Sequence, residues 1–325
     1  MRIASLLPSA TEIVCAVTDR ASLVGVSHEC DYPSGVEGLP ILTRPRVEFP
    51  KASGDIDRAV RELVKDTLAV YEVRLEELRE ANPEVVVTQA LCDVCAVSLD
   101  RVQEALRELA RSDVEVVSLS PTRLGDIWED VRRVGRALGL EERANEVAAS
   151  LEERCRDLGR RTAELPGEPT VLTVEWLDPV MIGGTWMPEL VELAGGRALV
   201  TEPAQHAPTL SLEELSALDP DVVLIKPCGF ELERSVREIE LLRKTLPWDS
   251  WKAVREDRVF LADGNAFFNR PGPRLVESLE ILAACLYPSE LADLAEKHRD
   301  SVVAVGSDLS FRTLGGGEVV TIAPC

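Results

Sequence analysis

The sequence has little positive charge: 36 lysines and arginines face 57 aspartates and glutamates, for a net charge of -21. Lysine is scarce beside arginine, and no basic face is available for phosphate, so nucleic acid is excluded as a partner. No apolar run long enough to span a bilayer, about 18 residues or more, occurs in the 325-residue chain. The opening MRIASLLPSATEIV lacks a basic region leading into a cleavable apolar segment. The expected compartment is the cytoplasm. The cysteines, eight in all, show no disulfide-framework spacing, which agrees with a reducing environment. Also missing are a nucleophile elbow, a phosphate loop and an HExxH spacing, which leaves Glu29, Asp31, Glu175 and His206 reading as solvated loop groups rather than as acid/base catalysts.

What the sequence does contain is enough apolar material, 45% of residues, for two cores. Between them lies a charged amphipathic stretch, residues 121–165. Leu124, Ile127, Val131, Val134 and Leu138 recur at helical steps, and Ala144, Val147, Leu151, Cys155 and Leu158 continue the stripe after a shift near Gly139. The pattern predicts one long helix, or two joined at Gly139-Leu140, with Thr122 as N-cap and a stop at Pro166-Gly167. A single helix over this stretch would be a rod of roughly 60 Å. On either side, strands alternate with helices, including a helix expected over 56–81, and such alternation implies parallel sheets. The letters also repeat: LEELREANPEVVVTQALC at 75–92 matches LEELSALDPDVVLIKPC at 212–228. The expected organisation is an α/β lobe over 1–120, a connecting helix over 121–166, a second α/β lobe over 167–288, and an extension over 289–325 that begins helically and ends as a hairpin.

In parallel α/β sheets the loops after the strands gather at one edge, where ligands bind. Those loops contain Pro8, Ser9, Thr11, His28, Glu29, Tyr32, Gln89, Glu175, Trp176, Trp186, Phe230, Asn265, Phe267, Phe268 and Arg270 as candidate ligand contacts. Trp176, Trp186, Phe267 and Phe268 have the flat faces that stack on a macrocycle, although aromatic residues at sheet edges are as often core. Arg270, in NRPGP, opens a helix and is placed to meet an anion. Cys30, Cys92, Cys95 and Cys228 form a candidate soft-metal set for zinc, cobalt or an iron-sulfur centre, with space-filling or redox chemistry as the alternative.

The segments RIASLLPSATEIV, LVGVSHECDYP, NPEVVVTQ, EWLDPVMIGG, DPDVVLIKPCGF and RVFLADGNAFFNRPGPRLVE together resemble the substrate-binding proteins of metal-chelate ABC importers, closest to the cobalamin-binding branch. The resemblance implies a class III periplasmic-binding-protein-like fold, two Rossmann-like lobes joined by one long α-helix. It further implies a non-enzymatic function: a corrinoid or other small-molecule metal chelate, cobalamin-like, held between the lobes, with an ABC permease as a partner that the family suggests and no signal peptide supports. Exported members carry a signal peptide or lipid anchor, whereas SHECDYP, CDVC and PCGF resemble a cytoplasmic subgroup. A metal- or thiol-dependent enzyme on the same scaffold, using the Cys/His/Glu cluster, is the other function open to this sequence.

Overall fold

The structure, a computed structural model, describes residues 1–46, 52–67, 70–89, 99–109 and 111–314. The chain opens with β1 (Ile3–Ser5), α1 (Pro8–Val17), a 3-10 turn at Arg20–Ser22 and β2 (Leu23–Gly25). Pro8 lies in the first turn of α1, where a missing N–H breaks no helical bond. Then follow β3 (Thr43–Pro45), α2 (Ser53–Thr67), β4 (Tyr71–Val73), α3 (Leu75–Ala81), β5 (Val85–Gln89), α4 (Leu99–Glu108) and β6 (Glu115–Leu119). The sheet runs β2-β1-β5-β6, with every pairing parallel. The helix expected over 56–81 is in fact two. Tyr71 and Val73 favour an extended backbone and pair antiparallel with β3, Thr43 opposite Val73.

The second lobe contains β7 (Thr170–Leu177), β8 (Val180–Ile182), α7 (Met187–Leu193), β9 (Arg197–Ala198), α8 (Leu212–Ser216), β10 (Val222–Ile225), α9 (Leu232–Arg237), α10 (Ile239–Thr245), α11 (Lys252–Arg255), β11 (Val259–Ala262) and α12 (Leu275–Leu286). It continues with α13 (Ala292–Lys297), β12 (Val302–Val305) and β13 (Phe311–Thr313). Strands β12 and β13 form a hairpin that lies antiparallel on β11 as part of the second sheet, β13-β12-β11-β10-β7-β8, and the rest of the stretch expected as a hairpin, 315–325, lies outside the described residues. Both copies of the sequence repeat do the same work: β5 pairs parallel with the first strand of its lobe, β1, and β10 with the first strand of its own, β7.

Of the two arrangements expected between the lobes, one rod or two helices joined at Gly139-Leu140, the second occurs, as α5 (Leu124–Ala137) and α6 (Glu141–Ala163). Gly139 has φ 66°, a left-handed conformation that a Cβ disfavours. Its N–H bonds the Arg136 carbonyl at 3.1 Å, and the N–H of Leu140 bonds that of Gly135 at 2.8 Å. These are the two closing bonds of a Schellman stop. At the other end of α5 the Asp126 carboxylate accepts from the amides of Thr122 and Arg123, 2.9 Å each. Thr122 therefore lies one residue outside the cap position, which Arg123 holds. The hairpin brings the two halves of the stripe together, with Val131, Val134, Ala144 and Ala148 buried.

Helix α6, about 35 Å long at 1.5 Å per residue, packs against α1 and α5 of the first lobe and α7 and α12 of the second. One continuous apolar core follows it from Ile13 and Ile127 through Leu151 and Leu158 to Leu190 and Leu282. The outer face of each sheet has a core of its own. Glu280 on α12 fastens this frame: it accepts from His298 Nε2 at 2.8 Å, Lys297 Nζ at 2.5 Å and Arg154 at 3.2 Å.

Two tests of the frame follow from this packing. A Cβ on Gly135 would lie 2.1 Å from the Cβ of Ala144. Alanine gains up to about 1 kcal/mol over glycine inside a helix, but overpacking typically costs about 1–3 kcal/mol, so Gly135→Ala should lower the melting temperature. For Glu280, burial raises the carboxyl pKa, but its cationic partners outweigh burial and hold it down at about 2. The stability it supplies is present above the ordinary carboxylate range and is lost as pH falls toward 2. Glu280→Gln should therefore be destabilised at neutral pH by roughly 1–3 kcal/mol, and denaturant titrations should show the gap to wild type closing between pH 4.5 and 2.

Candidate functional site

The loops after the parallel strands of both lobes meet along one seam. From the first lobe comes residues 27–33, following β2, and from the second residues 264–273, following β11. Arg270 crosses the seam and grips Asp31 with both terminal nitrogens, at 2.5 and 2.9 Å. Asn265 completes the arrangement, donating to Asp31 at 2.8 Å and accepting from Arg270 at 2.8 Å. The anion expected for Arg270 is thus a carboxylate of the opposite lobe. Burial pushes the Asp31 carboxyl up, but Arg270 more than reverses this and leaves it below its ordinary value.

Beneath that pair lies Glu12 of α1, only 3% exposed. Arg274 binds it through two nitrogens at 3.0 and 2.6 Å, and Arg270 stands 3.7 Å away. The Arg274 guanidinium also stacks over the Tyr32 ring, 4.2 Å from its centroid, which accounts for how an exposed tyrosine is held at the cleft rim. At another point of the seam the hydroxyl of Ser53, at the start of α2, donates to Glu238 at 2.7 Å.

The first-lobe wall also holds His28, Glu29 and Tyr71. His28 is half-buried, with Nδ1 2.7 Å from Thr43 Oγ1 and its ring 5.0 Å from that of Tyr71. Burial lowers its pKa, favouring the neutral ring. Glu29 accepts from the Tyr71 hydroxyl at 2.8 Å. It keeps an exposed surface although protein crowds it closely, as on a concave wall, and that crowding raises its pKa. Across the seam Trp176 meets Phe230 edge to face at 5.3 Å, and Arg234 lies 3.6 Å over the Phe230 ring. Lys226, 1% exposed at the end of β10, bonds Glu175 at 3.1 Å and Asn269 at 2.7 Å.

Several expected contacts are instead packing. Trp186 is 5% exposed and donates its Nε1–H to the Phe268 carbonyl at 2.8 Å. Phe268 is fully buried at φ 68°, a left-handed conformation rare for an aromatic residue, and is fixed there by its amide donating to Ser278 Oγ at 2.8 Å. Together they anchor the 264–273 loop from behind. Phe230 is also buried, and Phe267 lies half-buried, edge-on to His298 at 6.5 Å. Ser9, Thr11 and Gln89 are buried at strand or helix ends, and Pro8 is half-buried. The soft-metal set is not assembled by the residues in view. Cys30 lies 3.1 Å from Thr11 Oγ1, which itself donates to Ser5, and burial pushes the Cys30 thiol up to about 12, away from the thiolate a metal requires. Cys228 is exposed. Cys92 and Cys95 lie outside the described residues, among which no cluster of three metal-ligating side chains occurs.

Sequence reasoning passed over Glu12, Tyr71, Lys226, Asn269 and Arg274. Lys226 left one signal, a lone cation closing an apolar strand in DVVLIKP. Glu12 left another, an acid on the otherwise apolar helix of SLLPSATEIV.

A family model described as periplasmic binding protein matches residues 3–266. An uncharacterized ABC transporter substrate-binding lipoprotein of Bacillus subtilis is 23% identical over 88% of this chain and 80% of its own length. A vitamin B12-binding protein of Vibrio cholerae is 22% identical, over 88% of each chain. Among solved structures, a periplasmic heme-binding protein from Roseiflexus sp. RS-1 in apo form superimposes with a TM-score of 0.67 at 22% identity, covering 89% of this chain and 98% of that one.

Thiol accessibility tests the geometry directly. In brief alkylation near neutral pH followed by peptide mass mapping, Cys228 should be modified, while Cys30, Cys155 and Cys285 should stay unmodified until the protein is denatured. Early labelling of Cys30 would contradict its buried placement.

Proposed function

The chain belongs to the periplasmic binding protein family, and from that premise we propose that it is a non-enzymatic substrate-binding protein holding a corrinoid between its lobes. The observation that carries the choice of ligand is the charge of the cleft. Arg270, Arg274 and Lys226 are each committed to a protein carboxylate, and Glu29 adds a further acid to the wall. A chelate with a carboxylate rim, such as a porphyrin with propionates, finds none of these three cations uncommitted, whereas one rimmed by neutral amides, as a corrinoid is, needs none. The half-buried Trp176 and the neutral imidazole of His28 supply a flat apolar contact and a nitrogen donor for the chelated metal.

The vitamin B12-binding relative in Vibrio cholerae supports this ligand class, and the family supports transfer to an ABC permease.

Titrations with cyanocobalamin and with hemin, followed by absorbance, test the ligand. Cyanocobalamin should bind at least about tenfold more tightly than hemin; tighter hemin binding, or no corrinoid binding, would overturn the reading. Trp176→Ala should weaken cyanocobalamin by roughly 1 kcal/mol. Trp186→Ala, a change to a buried anchor, should instead lower the melting temperature.

A further inference from the structure

Glu12 is a carboxylate that a ligand cannot reach. It is 3% exposed, and both of its oxygens are held by Arg274. Yet it is joined to the cleft through each of its cations. Arg270, 3.7 Å from Glu12, turns its other donors to Asp31 and Asn265. Arg274 stacks on Tyr32 and lies 5.7 Å from the ring centroid of Phe267. The backbone between the two arginines lies down on α1: a Cβ on Gly272 would be 3.5 Å from the Ser9 carbonyl and 3.6 Å from the Glu12 carboxylate. One first-lobe acid therefore gathers two second-lobe cations, and each cation reaches a cleft residue of the first lobe.

We infer that Glu12 is a positioning residue for the ligand cleft, fixing the 264–273 loop of one lobe against the 27–33 loop of the other through Arg270 and Arg274. This rests on the reading of that cleft as the ligand site, but the clamp itself can be measured without ligand. With the charge of Glu12 removed, two neighbouring guanidiniums share only Asp31, which is about half exposed and screened by water. The loop that carries Asn265 and Phe267 is then released from α1, while the apolar core along α6 is untouched. Arginine suits this role because its planar fork binds a carboxylate through two donors and offers a flat face to an aromatic ring at the same time.

Amide hydrogen exchange on the full ligand-free chain, comparing wild type with Glu12→Gln, gives the first readout. Residues 27–33 and 264–273 should exchange about tenfold faster or more, with both sheets and α6 unchanged. Glu12→Asp should recover part of the protection, as should the exchange of partners, Glu12→Arg with Arg274→Glu. Cyanocobalamin should bind Glu12→Gln at least about tenfold more weakly than wild type. If Glu12→Gln fails to fold, Arg274→Gln, which leaves Arg270 beside Glu12, takes its place with the same expectation. Wild-type exchange in the two loops would overturn the inference, as would faster exchange spread evenly over both lobes, the mark of a core residue. Loosened loops in a protein whose wild type binds no cyanocobalamin would uphold the clamp and refute the ligand.

Discussion

The arrangement depends on the apolar core that α6 shares with both lobes. Ala144, Ala148, Leu151, Cys155 and Leu158 present one helix to α1 and α5 on one side and to α7 and α12 on the other. Separating the lobes along this helix would expose that shared apolar surface to water, at a cost of about 25 cal/mol per Å². Large hinge motion is therefore opposed at its base, and the two sheets behave as parts of one frame. The small residues of α6, Ala144 above all, set how closely α5 approaches, and Gly135 provides the complementary gap.

On this frame the charges at the seam have a restricted task. Buried carboxylates are costly unless paired and hydrogen-bonded, and in a chain with net charge -21 every cation is valuable. Glu12 and Asp31 are matched by arginines, and Glu175 by the buried Lys226. Such pairs add less to overall stability than to register, because much of their attraction offsets desolvation. The effect of the two arginine pairs is geometric: they determine which side chains of one lobe stand opposite which of the other, while Lys226 and Glu175 tie β10 to β7 within the second lobe. The shared core holds the lobes at a fixed distance, and the ion pairs align the loops across that distance.

The architecture was legible in the sequence where the pattern is local. The repeated proline-turn-strand gave β5 and β10 their places, and the 3.6-residue stripe marked α5 and α6. The break between them was one of two readings of the same letters; periodicity continues across Gly139, and only the backbone shows that the two halves of the stripe face each other. β4 was hidden because three residues are too few to carry a period, and Tyr71 and Val73 fit a helix face equally well. At the site, Glu29, Tyr32, Asn265 and Arg270, picked out by loop position after a strand, lie where the two lobes touch. Loop position could not separate residues that face the cleft from those that support it: Trp186 and Phe268 share the loops and the chemistry of ligand contacts, yet their rings are turned inward. Partner choice was not legible either, since Glu12 and Arg274 are 262 residues apart and nothing local in either segment names the other.

That division between facing and supporting residues bears on how ligand preference can change in such a fold. The loop anchors, Trp186 with Phe268 and Glu12 with its arginines, are buried and mutually dependent, so substitution there disturbs loop placement as a whole. His28, Glu29 and Trp176 have freedom on one side, each held by one or two local contacts: Thr43 for His28, Tyr71 for Glu29, and Phe230 with the Asp178 carbonyl for Trp176. Changing one of these alters the chemistry of the wall without releasing the loop that carries it. A change of charge at Glu29 would act more strongly than a change of size, because the wall already commits its principal cations to protein acids and an altered charge would remain uncompensated. On the reading proposed above, ligand preference would rest on a few side chains mounted on a seam whose own charges are used up in holding the loops in register.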